Sequence, residues 1–394
     1  MDVLELTRQL VAIDSQNPGP QEREIAGFVT AWARERGFDT AVLEPVAGRP
    51  NVVVTADRGG GRRLGLSGHL DTKPVGDALG QWRTPPLELT VDGDDAYGLG
   101  ATDMKGGVAA MMLALERFAV SAGRGSLSLV LTADEEQGSD AGAKALVASG
   151  DLPRLDALVI GEPSGIAEPW EAVHVVSRGI CCFEIEIRTT QGHSGLSPGL
   201  GRNATLVAAD LLRAFERFRP TVARPGTVPC SPTVNPGIFI SGGVSYGTWP
   251  GRCTVGMEVR LVPGMDQEQL HAEVAALTDA TLRGSAEFEI RYLTTAQGWM
   301  PAVELDPTHP LAQAARAASS AVLGRDVPFA AFPGGTDATY FMGQGGIPTI
   351  TSLGPGWISV AHGANERVGV LQLAEAADVY TAVVEDYLGR EVPA

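Results

Sequence analysis

The stretch Leu64-Gly-Leu-Ser-Gly-His-Leu-Asp-Thr72 sets an imidazole and a carboxylate two residues apart at the end of an apolar run. In extended chain His69 and Asp71 leave on the same face. A neutral imidazole and a carboxylate aimed at one point suit a metal ion or an acid–base pair. Taken alone, the pair reads as a strand end with two solvated polar residues, but the pattern recurs. Asp103 closes Tyr97-Gly-Leu-Gly-Ala-Thr-Asp103, Glu135 and Glu136 follow the apolar run Ser126–Thr132, and Glu162 follows the run Leu155–Ile160. His362 sits in the turn-rich segment Val360-Ala-His-Gly-Ala-Asn-Glu-Arg367. Two imidazoles with several carboxylates are the donor set of hydrolytic zinc centres. Two metals bridged by one carboxylate need about five protein ligands, and one more carboxylate must stay free to take a proton from water. The adjacent pair Glu135-Glu136 can serve both needs, because neighbouring side chains point differently.

The elements that must position these residues follow from the apolar pattern. Helical spacing marks 2–14 and 21–36, with Pro20 suited to a first turn and Gly37 to a C-terminal cap. Strands are expected at Thr40–Leu43 and Asn51–Thr55, then at Arg63–Leu66, where Gly68 breaks the run. A helix over Lys105–Phe118 follows, then the strands 126–132 and 155–160. Three apolar strands, each with acidic residues or histidine just past its last apolar position, place those groups side by side in a doubly wound sheet. From Ser177 the pattern changes. Strands at Cys181–Arg188, Thr233–Ile240, Cys253–Leu261 and Ala286–Tyr292, with helices at Asn203–Phe218 and Asp266–Leu282, spell βαββαβ. After Thr295 the helix–strand alternation resumes: helix 310–322, strands 327–332 and 348–352, helix 371–388. The reading is therefore a discontinuous first domain, 1–176 with 295–394, interrupted by a second at 177–294.

Composition bounds the partners. At 394 residues the chain exceeds the size of one core, in keeping with two domains. A net charge of −17 argues against a nucleic-acid backbone or an anionic membrane as partner. The start Met-Asp-Val-Leu-Glu is charged from its second residue and no apolar run approaches a membrane span, so a cytoplasmic protein is expected. Cys181, Cys182, Cys230 and Cys253 lack zinc-finger spacing and are expected to be reduced thiols.

The ordered motifs His69-Leu-Asp71-Thr, Gly98-Leu-Gly-Ala-Thr-Asp103-Met-Lys-Gly-Gly, Glu135-Glu136-x-Gly, Gly161-Glu162-Pro and His362-Gly-Ala-Asn-Glu-Arg together resemble a known family. It is the co-catalytic zinc hydrolase family of acetylornithine deacetylase, succinyl-diaminopimelate desuccinylase and carboxypeptidase G. The resemblance covers nearly the whole chain. It implies a zinc-peptidase-like catalytic domain with an inserted ferredoxin-like lid and dimerisation domain. It implies two zinc ions per chain, cobalt substituting, with Asp103 as the bridge. His69 and Glu162 would bind one ion, Glu136 and His362 the other. Glu135 would be the general base and later the acid, and Asp71 would orient His69. A cis peptide after Asp103 is also implied. In the inserted domain, His193 would reach the partner subunit's site in a homodimer and stabilise an oxyanion. Arg260 would hold a substrate carboxylate, while Arg178, Asn235 and Thr336 match positions near the substrate. One departure stands out: relatives carry an asparagine where this chain has Gly247 or Thr248, which bears on the substrate end of the pocket. The implied activity is removal of an acyl group from the nitrogen of an amino acid. A metallo-dipeptidase or carboxypeptidase on the same centre is the alternative, and a non-catalytic binding protein on this scaffold a remote one. His174, His271 and His309 match nothing and are expected to be structural or exposed.

Overall fold

A computed structural model of the chain describes residues 2–18 and 22–390 (the Ala296 side chain excepted); Pro20 lies outside them. The described chain divides into two compact units, Met1–Ser177 with Glu304–Ala394, and Arg178–Val303. The return to the first unit comes at Glu304 rather than near 295. The cause is backbone pairing: Met300 and Ile180 exchange two N–H···O bonds of 2.9 Å, which keeps this segment with the second unit.

The first unit is organised by a six-stranded mixed sheet. Its strands are β1 (Asp39–Leu43), β2 (Asn51–Asp57), β3 (Arg63–His69), β4 (Ser126–Thr132), β5 (Ala157–Ile160) and the short Thr349–Ile350, in the spatial order β1-β2-β4-β3-β5 and then 349–350. The neighbours β4, β3 and β5 run parallel. Parallel strands covered on both faces must be apolar throughout, and β4 is buried from Leu127 to Thr132. Because the three are parallel neighbours, His69, the Glu135-Glu136 turn and Glu162 all emerge at the same, C-terminal end of the strands. Gly68 does not break β3. It stays paired with Leu131, and a Cβ there would meet the Met104 methyl at 2.7 Å. The missing side chain thus lets the segment after Asp103 lie close against the strand. The helix Gly106–Val120 follows an irregular turn in which Gly100 has φ 76° and the Asp103–Met104 peptide is cis.

The second unit is a four-stranded antiparallel sheet of β6 (Gly179–Arg188), β7 (Thr233–Gly242), β8 (Arg252–Leu261) and β9 (Glu287–Tyr292), ordered β7-β8-β6-β9. With the helices Ala204–Glu216 and Gln267–Leu282 it forms the βαββαβ arrangement. Alternate residues Cys181, Phe183, Ile185 and Ile187 of β6 enter a core shared with Leu211 and Phe215 of the first helix and Val274 of the second. The strand β7 lies at one edge, where Ile238, Phe239 and Ile240 are exposed. All four cysteines are free.

Candidate active site

His69, the last residue of β3, is buried, and its ring is oriented by a backbone group. Its Nδ1 donates to the Asp71 carbonyl oxygen at 2.9 Å, whereas the Asp71 carboxylate lies 3.7 Å away. Both the carbonyl and the carboxylate of Asp71 thus face the Nδ1 side of the ring, the carbonyl at hydrogen-bonding distance. With the proton on Nδ1, the lone pair of the neutral ring sits on Nε2, which faces Asp103 Oδ1 at 2.9 Å and Glu162 Oε1 at 3.6 Å. The other oxygen of Asp103, Oδ2, is 3.1 Å from His362 Nε2, and the same nitrogen is 3.1 Å from Glu136 Oε2. Asp103 therefore presents one oxygen to each of two histidine–carboxylate pairs.

The Asp71 carboxylate also works elsewhere. It accepts the backbone N–H groups of Glu135 and Glu136, each at 3.2 Å, and so fixes the turn after β4. Asn17 braces it, donating from Nδ2 to Asp71 at 2.8 Å and to Asp134 at 3.0 Å. Burial pushes the Asp71 carboxyl up to about 7, against the opposing pull of His69. The half-buried Glu135 has a carboxylate oxygen within 4.8 Å of ligand atoms of His69 and Glu162. Desolvation raises its pKa well above the usual carboxylate range, as it does for Glu162. His362 is pushed up to about 10 by its hydrogen bonds to Asp103 and Glu136. Burial alone would disfavour charge on Asp103, but the hydrogen bond from His362 and the attraction of the two facing imidazoles prevail and hold its carboxyl below the usual range.

The described residues thus bring together His69, Asp103, Glu135, Glu136, Glu162 and His362. Three of the four carboxylates and one of the two imidazoles are buried while His362 is exposed; so much buried acid demands compensating positive charge, and nitrogen with oxygen donors suits a divalent ion such as zinc. The arrangement fits a pair of ions sharing Asp103.

Residues 65–386 match the profile of peptidase family M20/M25/M40. The chain belongs to that family. Among M20 relatives, the acetylornithine deacetylase of Myxococcus xanthus is 33% identical over 97% of this chain and 96% of its own length. The succinyl-diaminopimelate desuccinylase of Alkalilimnicola ehrlichii is 30% identical over 98% of this chain and 100% of its own. An M20 metallo-carboxypeptidase from Sulfolobus solfataricus shares the fold, with a TM-score of 0.78 at 18% identity, covering 99% of this chain and 100% of that one. The M20 chain is accordingly a hydrolase of amide or peptide bonds.

The other candidate residues have contacts of their own. Thr336 is buried in the first unit, its N–H donating to Ser177 Oγ at 2.9 Å and its hydroxyl oxygen accepting from the Ala338 N–H. Arg178, Asn235, Arg260 and His193 belong to the second unit. Arg178 donates to the Ser231 carbonyl and the Thr233 hydroxyl at 2.9 and 2.8 Å. Asn235 and Arg260 both donate to Glu258, each at 2.9 Å. His193 is exposed, pairs with Thr248, and accepts the Gly195 N–H on Nδ1 at 3.0 Å. Three participants were missed from sequence. Lys73 pairs with Glu136 Oε2 at 3.3 Å, and Asn17 has the bracing role described above. Glu258 had a signal, since its i, i+2 spacing from Arg260 puts both on one face of β8. A cavity of about 1130 Å³ lined by Trp170, Arg325, Trp357 and Glu375 contains none of the metal-ligand candidates; donor chemistry, not volume, marks the site.

Proposed function

We propose that this chain is a dizinc amidohydrolase that removes an acyl group from the nitrogen of an amino-acid-like substrate. The observation that carries this reading is Asp103, whose two carboxylate oxygens face separate pairs, His69 with Glu162 and His362 with Glu136. Those five residues would hold the two ions. When bound, such a pair of ions supplies Lewis-acid chemistry, acidifying a water and polarising the scissile carbonyl.

The chain's own groups do the rest. Glu135 sits next to the ligand set without being needed in it, so it takes the proton of the attacking water and returns it to the departing amine. Asp71 keeps Glu135 and Glu136 in their different orientations through two backbone N–H groups. His193 accepts a backbone N–H on Nδ1, which leaves the proton of the neutral ring on Nε2. That N–H is available to donate to a developing oxyanion. Arg260 offers a planar guanidinium to a substrate carboxylate, in competition with Glu258. The exposed apolar edge of β7 supports a homodimer, because an unpaired apolar strand edge invites pairing with another chain. In that dimer, His193 completes the partner's site. Relatives named for deacetylation and desuccinylation support an N-acyl amino acid as substrate.

The test is a hydrolysis screen of N-acetyl, N-succinyl and N-formyl amino acids and of dipeptides, with zinc or cobalt added. Release of free amine from an N-acyl amino acid is expected. Turnover confined to dipeptides would replace the reading with a peptidase on the same centre.

A further inference from the structure

Glu366 lies four residues after His362 and is 2% exposed. Its Oε2 accepts the Gly100 N–H at 2.9 Å, and its Oε1 accepts the N–H groups of Thr102 and Asp103 at 3.0 and 2.9 Å. The Glu366 backbone carbonyl accepts the Gly98 N–H at 3.0 Å, and the Arg367 carbonyl accepts the Thr102 hydroxyl at 2.6 Å. Residues 98–103 are therefore laced to residues 366–367. The turn needs this acceptor. With Gly100 at positive φ and Asp103 outside helical dihedrals, the turn's N–H groups at 100, 102 and 103 do not enter a helix or strand ladder. Buried and unpaired, they would be costly. One carboxylate serves all three. The buried ammonium of Lys105, which donates to the Ile13 carbonyl at 2.8 Å, lies in the field of this carboxylate.

We propose that Glu366 is a positioning residue that locks the two metal subsites into one piece. By holding the amides around Asp103, it fixes the angle at which one Asp103 oxygen meets His69 and the other meets His362. The residue that does this belongs to the loop that delivers His362, so bridge and distal ligand arrive together. This rests on the two-metal reading above, and the experiment separates the two.

Zinc affinity is measured by chelator competition on the full-length apoprotein of the unmodified chain, Glu366→Gln and Glu366→Asp, together with the visible spectrum of the cobalt-loaded forms. Glu366→Gln keeps the volume but offers one acceptor oxygen instead of two, so its amide group meets at least one backbone donor. A 10–100-fold loss of zinc affinity is expected, as for other groups that orient metal ligands, with a changed cobalt spectrum. Glu366→Asp, which keeps the charge but is shorter, should fall between. A Gln variant with lowered thermal stability but unchanged zinc affinity and cobalt spectrum would overturn the proposal. An unmodified chain that binds no metal would instead overturn the two-metal reading. Should both variants fail to fold, amide exchange on the unmodified apoprotein decides. The amides of Gly100, Thr102 and Asp103 should be protected before zinc is added, and protection appearing only with zinc would refute the clamp.

Discussion

At the scale of single residues, the proposed reading gives adjacent carboxylates different jobs because their surroundings differ. Glu136 faces His362, whereas Glu135 lies by His69 and Glu162 without sharing the His362 contact. Glu135→Ala should abolish turnover while leaving metal content near that of the unmodified protein, and Glu136→Ala should lower metal content itself. Metal analysis beside kcat separates them, and a Glu135→Ala protein that keeps most of its kcat would move the base elsewhere. Arg260 presents a subtler case, because its guanidinium is already paired with Glu258. Arg260→Ala should raise KM for carboxylate-bearing substrates by roughly thirtyfold, for a lost charge-assisted contact of about 2 kcal/mol. Unchanged KM on every active substrate would hand the carboxylate to another group, with Arg178 next in line. The candidate ligand residues are legible in the sequence, since each follows an apolar run or a glycine-rich turn, and the structure brings them together. Their partners are not legible there. Asn17 meets Asp71 across 54 positions and Glu366 meets Asp103 across 263, and no local pattern encodes such a distance.

At the scale of elements, apolar runs and helical spacing are enough to place the long strands and helices to within a few residues, but not shorter strands such as Val173–Ser177 and Gly354–Trp357. What they could not reveal was how a glycine would be used. Gly68 looked like a breaker and is an accommodating position inside β3, because the deciding neighbour, Met104, arrives from a different turn. The buried histidine of the strand Val173–Ser177 offers a test at this scale. His174 packs edge-on to Phe332 at 5.5 Å, its Nδ1 has no hydrogen-bond partner among the described residues, and burial lowers its pKa to about 4. Its unfolded value is about 6.5. Between these two values the unfolded chain binds a proton that the folded chain refuses, so stability rises with pH across that window. From pH 7 to pH 5 this group should remove about 2 kcal/mol of stability. Denaturant titrations at both pH values should show a smaller drop for His174→Phe than for the unmodified protein. Equal drops would mean that His174 takes up its proton while folded.

At the scale of the whole molecule, the candidate chemistry is divided between the two units, with His193 in the second and Glu135 in the first. If His193 serves the partner's site, two inactive proteins can repair one another. His193→Ala and Glu135→Ala should each be nearly dead, yet after subunit exchange a mixed dimer has one site with both residues intact. Random pairing makes about half of the dimers mixed, each with one good site of two, so roughly a quarter of the original activity should return. A mixture shown to contain heterodimers that stays inactive would confine His193 to its own chain. The net charge of −17 also belongs to this scale, since it disfavours anionic polymers as partners for the protein as a whole.

The interrupted first unit also imposes a timetable. His69, Asp103, Glu136 and Glu162 all precede the second unit in the chain, while His362 and Glu366 follow it. On a ribosome adding 5–20 residues per second, roughly 200 residues separate Glu162 from His362, a delay of about 10–40 s. Throughout it, the emerging polypeptide exposes an incomplete nest of carboxylates with one histidine, and the turn bearing Asp103 still lacks its anchor. On the two-metal reading proposed above, a first ion would be open to capture during translation, whereas the second would wait for a segment made long after the rest of its pocket.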